Sequence, residues 1–517
     1  MKNKFYITTP IYYINAKPHI GSAYTTIAAD VLARYHRMIG DKTFFLTGTD
    51  EHGEKNEAIA KKEKIEPQEY ADKMSAYFEM AWDSLNISND GFIRTTDKDH
   101  KKAVQRALQN MHDKGYIYKG KYTGLYCSGC EQYKTEKDLV DGLCPDHKTK
   151  PVEMSEESYM FKMSAFSDQI KKAIEKDELL ITPESKKNEI LSFYKDGLND
   201  ISFSRTNTTW GVELPWDKKQ VSYVWPDAFL NYLTGLGWDG GEKVQEMWEK
   251  DVEVVHLMSK DILRVHATIW PAMLLALSLP LPKRLFIHGF FLVEGQKMSK
   301  SIGNVIAPDE LIKKYGVDAT RYLLMDVTPF GNDGDVSWGK FDEKFNADLA
   351  NGLGNLVSRV LTLTDKYLEG KVPEINKDDV GDMILGDLGV SFKKRIEASW
   401  VFYNNKMNGI QIEQPLANIK ELIIGQCDKH ITSIELWKLI KENKEEGERH
   451  IYALLETIRH IALMLWPFMP EISDRILEAL GFDSSKEREK DIKELSKWGG
   501  LSEKAEVKKP ETLFPRI

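Results

Sequence analysis

The chain has 517 residues, of which 42% are hydrophobic and 29% charged, and a net charge of −9. That length supplies two to four domains with sizeable cores, and no apolar run approaches the ~18 residues that a membrane-spanning helix needs. The acidic balance argues against a general nucleic-acid coat but leaves room for a local basic groove.

Residues 5–9 read as a first strand, followed by a turn at Lys17-Pro18. From Gly21 the apolar positions Ile27, Val31, Leu32 and Tyr35 recur at helical spacing until Gly40, and Thr43–Gly48 is a second buried strand. Strand, helix, strand in that order begins a parallel α/β sheet, so residues 19–22 fall where a strand hands over to a helix N-terminus. Residues 67–86 and 97–115 are helical by period. Gly, Tyr and Cys then crowd together, and residues 116–209 read as an insertion between two halves of the sheet domain, 1–115 and 210–290. The sheet is expected to resume with Ser222–Trp225, Val252–Leu257 and Leu285–His288, around a helix from Asp261 that Pro271 should kink. Residues 291–345 form a connecting unit. Residues 346–517 form an all-α half with no convincing strands, in which 484–506 is either a solvated helix or a loose linker and 511–517 packs back on the body. The N-terminus lacks the apolar core of a signal peptide and the bias of a transit peptide, so a cytoplasmic location is expected.

Three stretches carry chemistry. Cys127-Ser-Gly-Cys130 and Cys144-Pro-Asp-His147 have the spacing of a closed Cys₃His zinc site, which would be structural; the alternatives are reduced loop thiols or a redox Cys-x-x-Cys. Cys427 reads as a buried thiol in the bundle. His19 stands at a helix N-terminus, where unpaired N–H groups and the helix dipole attract phosphate, and Gly21 would let a purine lie on bare backbone. Its plain alternative is a turn residue, with Ser22 as a helix cap. Lys297-Met298-Ser299-Lys300-Ser301, between Gly295 and Gly303, is a cationic loop suited to a triphosphate, though alone such a run is usually solvated surface.

Taken together, Pro18-His19-Ile20-Gly21-Ser22 and Lys297–Ser301 resemble the paired signatures of the class I aminoacyl-tRNA synthetases, and over nearly the whole chain the resemblance is to the methionyl-tRNA synthetase family. It implies a Rossmann-like catalytic domain split by a zinc-knuckle insertion, then the lysine-loop connector and a helical anticodon-binding domain. It also implies ATP, L-methionine and tRNA(Met), including initiator, as partners, with Mg²⁺ accompanying ATP and one structural Zn²⁺. His19, Ser22, Lys297 and Lys300 would be catalytic, and ATP would also meet Gly21, Glu213, Met298, Ser299 and Ser301. Asp50 corresponds to the residue that meets the methionine ammonium. Ile11, Tyr13, Trp225, Ala228, Tyr232, Ile262, His266 and Trp270 would enclose the thioether, a soft group suited to aromatic edges. Asn355 and Arg359, four apart on one helix face, would reach anticodon bases. The chain departs from the family at Ser22, where a second histidine is common, and at Gln414-Pro415-Leu416, read as the place of a Pro-Trp whose indole stacks on a base. With no C-terminal appendage after Ile517, a monomer is expected. A cysteine-specific synthetase, a non-catalytic tRNA binder and a simple nucleotidylyltransferase are the competing readings.

Overall fold

The computed structural model describes residues 3–127, 132–134, 136, 139–145, 148–241, 245–293, 295–298, 303–386 and 389–517, with backbone alone at 122–123, 132–134, 154–156 and 297. Seven strands form a wholly parallel sheet. Its order is Tyr12–Tyr13, Lys42–Asp50, Lys4–Thr8, Glu253–Ser259, Arg284–His288, Leu180–Thr182, with Gly91–Arg94 also paired to Lys42–Asp50. Phe5, Tyr6 and Ile7, and Val254, Val255, Leu257 and Met258, are buried in unbroken runs, as strands covered on both faces require. The chain leaves Lys4–Thr8 towards Lys42–Asp50 on one side, while Glu253–Ser259 lies on the other. That reversal opens a crevice at the carboxyl ends of the central strands.

The helix Ile20–Met38 joins the first two long strands and is buried along nearly its whole length. Ser222–Trp225, expected as a strand, divides instead. Asp217–Ser222 is a strand of a small antiparallel sheet and Val224–Phe229 is a helix, whose first turn tolerates Pro226 because its missing N–H has no helical acceptor there. Leu180–Thr182, within the expected insertion, pairs with Arg284–Phe286 at the edge of the main sheet. Three residues are too few to show a period in sequence. The rest of that segment builds an antiparallel sheet from Ile117–Cys127, Gln132–Lys134, Val152–Phe161 and Ile201–Ser202.

Phe291–Val293, Gln296–Lys297 and Gly334–Val336 form a three-stranded unit that carries the lysine loop, followed by helices Pro308–Tyr315 and Val317–Asp326. The C-terminal half is helical. Its elements include Asn355–Leu368, continuing a π-helical stretch Phe345–Gly354, and Phe392–Asn408, Leu436–Glu442, Lys444–Leu465 and Pro470–Ala479. One hairpin of two-residue strands, Ile384–Leu385 with Val390–Ser391, interrupts what the sequence presents as continuous helix. The charged segment near the C-terminus is ordered around two short helices, Ser484–Arg488 and Ile492–Leu495. The buried Glu456 carboxylate accepts the backbone N–H groups of Gly499, Gly500 and Leu501 at 3.0, 3.0 and 3.1 Å and fixes the chain there. Leu513 and Phe514 are buried, with Phe514 edge-on to Phe345, as expected for a tail that packs back. No helix among the described residues is long and apolar enough to cross a membrane.

Three parts of the molecule meet at one buried ion pair. Arg321 donates to Asp30 at 2.6 Å, and to the carbonyls of Phe468, Pro467 and Leu85 at 2.9, 3.0 and 3.1 Å; both charged side chains are wholly buried. Burial pushes the Asp30 carboxyl up, but Arg321 and Arg34 outweigh it and hold it at about 2. Asp30→Ala leaves Arg321 as an uncompensated buried charge. It should lower the unfolding free energy by roughly 3–5 kcal/mol in a urea titration, whereas the exposed control Asp99→Ala should change little.

Candidate active site

The crevice at the strand ends is a cavity of about 370 Å³. Its apolar side comes from Ile11, Tyr13, Trp225, Ala228, Tyr232, Ile262 and His266, all expected from the sequence, and from Phe229, which was not. Tyr232 donates to His266 Nε2 at 2.7 Å, and His266 Nδ1–H donates to the Ile262 carbonyl at 2.9 Å, so the tautomer is fixed. Burial lowers the His266 pKa to about 4, and the imidazole is neutral above that pH. Asp50 ends its strand at the cavity, buried. A carboxylate set among neutral aromatic groups is a recognition element for an ammonium, and the flexible apolar remainder of such a ligand would meet the rings. The buried indole N–H of Trp225 has no acceptor among the described residues. Trp270 does not line the cavity. It stacks behind Phe229 at 5.8 Å and donates to His256 at 3.1 Å, so it supports the wall without forming it.

The other side is polar. His19 is the N-cap of Ile20–Met38, and its Nδ1 accepts from Gly21 N at 3.0 Å, which leaves the ring proton on Nε2. A Cβ on Gly21 would stand 2.8 Å from the His19 ring and 3.4 Å from Met298 Cε, so only glycine fits here. The same contact brings Met298 against the His19–Ser22 turn and into the cavity lining. Ser22 Oγ accepts from His19 N at 3.0 Å and donates to His19 O at 2.8 Å. Ser22 lines the cavity but acts as a helix cap, the plainer of its two sequence readings.

Ser299, Lys300 and Ser301 lie outside the described residues, as does the side chain of Lys297, whose backbone pairs with Leu292. Gly295 and Gly303, on either side, both take φ +74°, in the region that favours glycine. Glu213 is not at the cavity: it lines a separate open groove with Gln105 and Arg106.

Sequence reasoning missed Thr25, His288 and Gly289 as site residues. Thr25 donates to His288 Nε2 at 2.8 Å and His288 Nδ1–H to Gly289 O at 2.8 Å, with the His288 pKa lowered to about 4 by burial. A Cβ on Gly289 would stand 2.2 Å from the Asn332 backbone. The usable signal was a His-Gly pair at a predicted strand's carboxyl end. Beneath the site, Asp227 accepts from His52 Nδ1 at 2.7 Å and pairs with His100 Nε2 at 2.9 Å, all three buried. Burial raises the Asp227 carboxyl, and the two imidazoles outweigh it to hold it at about 2.

Of the expected metal ligands, Cys130 and His147 lie outside the described residues. Cys127 and Cys144 are buried and meet at Thr149: Cys127 Sγ is 3.9 Å from Thr149 Oγ1, and Cys144 N donates to Thr149 O at 2.8 Å. In the helical half Asn355 is exposed and Arg359 partly so. Arg359 lies 3.6 Å from Asp428 and 5.5 Å over the Trp437 ring. Leu416 does not share that surface, being buried in the bundle core at 1% exposure. The half-buried aromatic beside Arg359 is Trp437, in Glu435-Leu436-Trp437.

A family model described as tRNA synthetases class I (M) matches residues 5–153 and 147–361, and one described as the anticodon binding domain of methionyl tRNA ligase matches 384–517. The chain belongs to the methionyl-tRNA synthetase family of class I. It is 43% identical over 522 residues to the methionine–tRNA ligase of Caldanaerobacter subterraneus, covering 100% of this chain and 79% of that one. To the Streptomyces coelicolor ligase it is 41% identical over 531 residues, covering 99% and 96%. The structure of the Mycobacterium tuberculosis methionyl-tRNA synthetase in complex with methionyl-adenylate superposes with a TM-score of 0.90 at 34% identity, covering 100% of both chains; the apo form of that enzyme gives 0.83 at 32% identity.

His266 and His288 each sit near 4 when folded against 6.5 when exposed, so the unfolded chain binds more protons between those values. Stability is therefore lost as pH falls from 6.5 through 4, by about 3 kcal/mol for one fully buried imidazole. The thermal midpoint should drop across that window, and His266→Gln should flatten the slope relative to the unaltered enzyme.

Proposed function

We propose that this cavity activates methionine with ATP to methionyl-adenylate and that the enzyme then transfers the methionyl group to the 3′ end of tRNA(Met), as a methionine–tRNA ligase. The observation that carries the reading is a single cavity with Asp50 and a neutral aromatic wall on one side and a glycine-floored helix N-terminus on the other. Asp50 holds the methionine ammonium, while Trp225, Tyr232 and His266 enclose the thioether. The methionine carboxylate then attacks the α-phosphorus and pyrophosphate leaves. His19, through Nε2–H, and the positive end of the dipole of the helix it caps stabilise the α-phosphate oxygens. Lys297 and Lys300, on either side of the cavity residue Met298 in sequence, neutralise the departing pyrophosphate. Mg²⁺ accompanies the triphosphate. No covalent enzyme intermediate is needed, so orientation and fixed charge supply most of the rate.

Cys127, Cys130, Cys144 and His147 would hold a structural zinc, a reading supported by their spacing and by the Cys127 side chain and the Cys144 backbone both contacting Thr149. The enzyme works in the cytoplasm. For the anticodon we assign Asn355, Arg359 and Trp437, the last supplying the stacking ring that Leu416 lacks.

Charging of tRNA(Met) with radiolabelled methionine tests the whole reading, which fails if no methionyl-tRNA forms. Asp50→Ala should lower kcat/KM for methionine by at least ~100-fold in adenylate formation. Trp437→Ala should leave adenylate formation unchanged and weaken charging by roughly 5- to 100-fold, the worth of one stacked base. Intact protein should carry about one equivalent of zinc, and Cys127→Ser should release it.

A further inference from the structure

Besides its histidines, the charged side chains lining the cavity among the described residues are Asp50, Asp261 and Lys17. Lys17 stands two residues before the N-cap His19, at the positive end of Ile20–Met38, and Pro18 holds its backbone away from helix. It is exposed, and its Nζ sits 3.9 Å from the centroid of the Tyr77 ring on helix Pro67–Ser84. No carboxylate lies within ion-pair distance of it among the described residues, whereas Lys260, next to the cavity residues Ser259 and Asp261, is 2.5 Å from Asp333. Among the described residues, Lys17 is thus held by a ring face and by no carboxylate. That attraction is weak at an exposed site and is outcompeted by a charge-assisted hydrogen bond to phosphate.

We propose that Lys17 is a further phosphate-binding cation of this site, which leaves the Tyr77 ring to contact the β- and γ-phosphates of ATP and the departing pyrophosphate. The inference rests on the adenylate-forming reading above and adds to it a residue outside both signature motifs. The flexible four-carbon stem lets Nζ exchange one partner for the other while Pro18 and His19 stay fixed. Lys17 would touch the leaving group and not the methionine, so its effect should fall on ATP and pyrophosphate alone.

The test is methionine-dependent ATP–pyrophosphate exchange and single-turnover pyrophosphorolysis on the full chain, with Lys17→Met, Lys17→Arg and Tyr77→Ala. Lys17→Met should raise KM for ATP and for pyrophosphate by ~10-fold or more, with KM for methionine within about twofold, and Lys17→Arg should recover most of the loss. Tyr77→Ala frees the cation without removing it and should leave both constants unchanged or lower. Unchanged constants in Lys17→Met would overturn the proposal. So would losses in Tyr77→Ala equal to those of Lys17→Met, which would make the pair a clip for the loop. Absence of methionine-dependent exchange in the unaltered enzyme would instead sink the adenylate-forming reading, and this inference with it.

Discussion

The wholly buried pair of Asp30 and Arg321 sets the geometry on which the rest depends. Asp30 lies in the middle of the helix whose N-terminus His19 caps, and Arg321 belongs to the helix that follows the lysine-loop unit. Two of the carbonyls that Arg321 satisfies come from the end of the bundle's long helix region, at Pro467 and Phe468. One guanidinium therefore fixes the helix that His19 caps, the connector and the bundle against one another. An arginine suits this task because its planar fork serves several acceptors at once. Desolvation makes the pair weak as a source of net stability, but breaking it is costly, so it specifies one arrangement more than it strengthens it.

With that frame fixed, the cavity divides its chemistry by charge. Burial keeps His266 and His288 neutral, and each spends its ring nitrogens on fixed neighbours. The aromatic side therefore offers polarizable surface beside the Asp50 carboxylate, while the helix that His19 caps presents its positive end. A zwitterion with a thioether tail and a triphosphate would be sorted by such a cavity without competing for its groups.

Much of this was legible in the sequence because the signals were local. Strand followed by Pro18-His19-Ile20-Gly21 predicts a helix N-terminus at the carboxyl edge of the sheet, and the structure puts His19 at the N-cap as that pattern requires. Ser222–Trp225 misled because its β-prone residues span a strand end and a helix start, with Pro226 the overlooked marker. Leu180–Thr182 was missed because a three-residue edge strand is specified by its neighbours and carries no period of its own. Trp270 and Trp225 look alike in sequence, yet only one reaches the cavity, since which face of a helix meets a void is decided by packing. Leu416 and Trp437 show the same limit. The Pro415-Leu416 pair looked like the motif, but its side chain is core, and the ring beside Arg359 comes from 21 residues further on.

One cavity is proposed to select methionine and to join it to ATP. ATP–pyrophosphate exchange without tRNA, run across all twenty amino acids with zinc-replete protein and Mg²⁺, tests it most directly. Methionine should drive strong exchange, and any other amino acid of the set at least ~100-fold less. Exchange driven best by a different amino acid would leave the phosphate chemistry standing and contradict the role given to Asp50, Trp225, Tyr232 and His266.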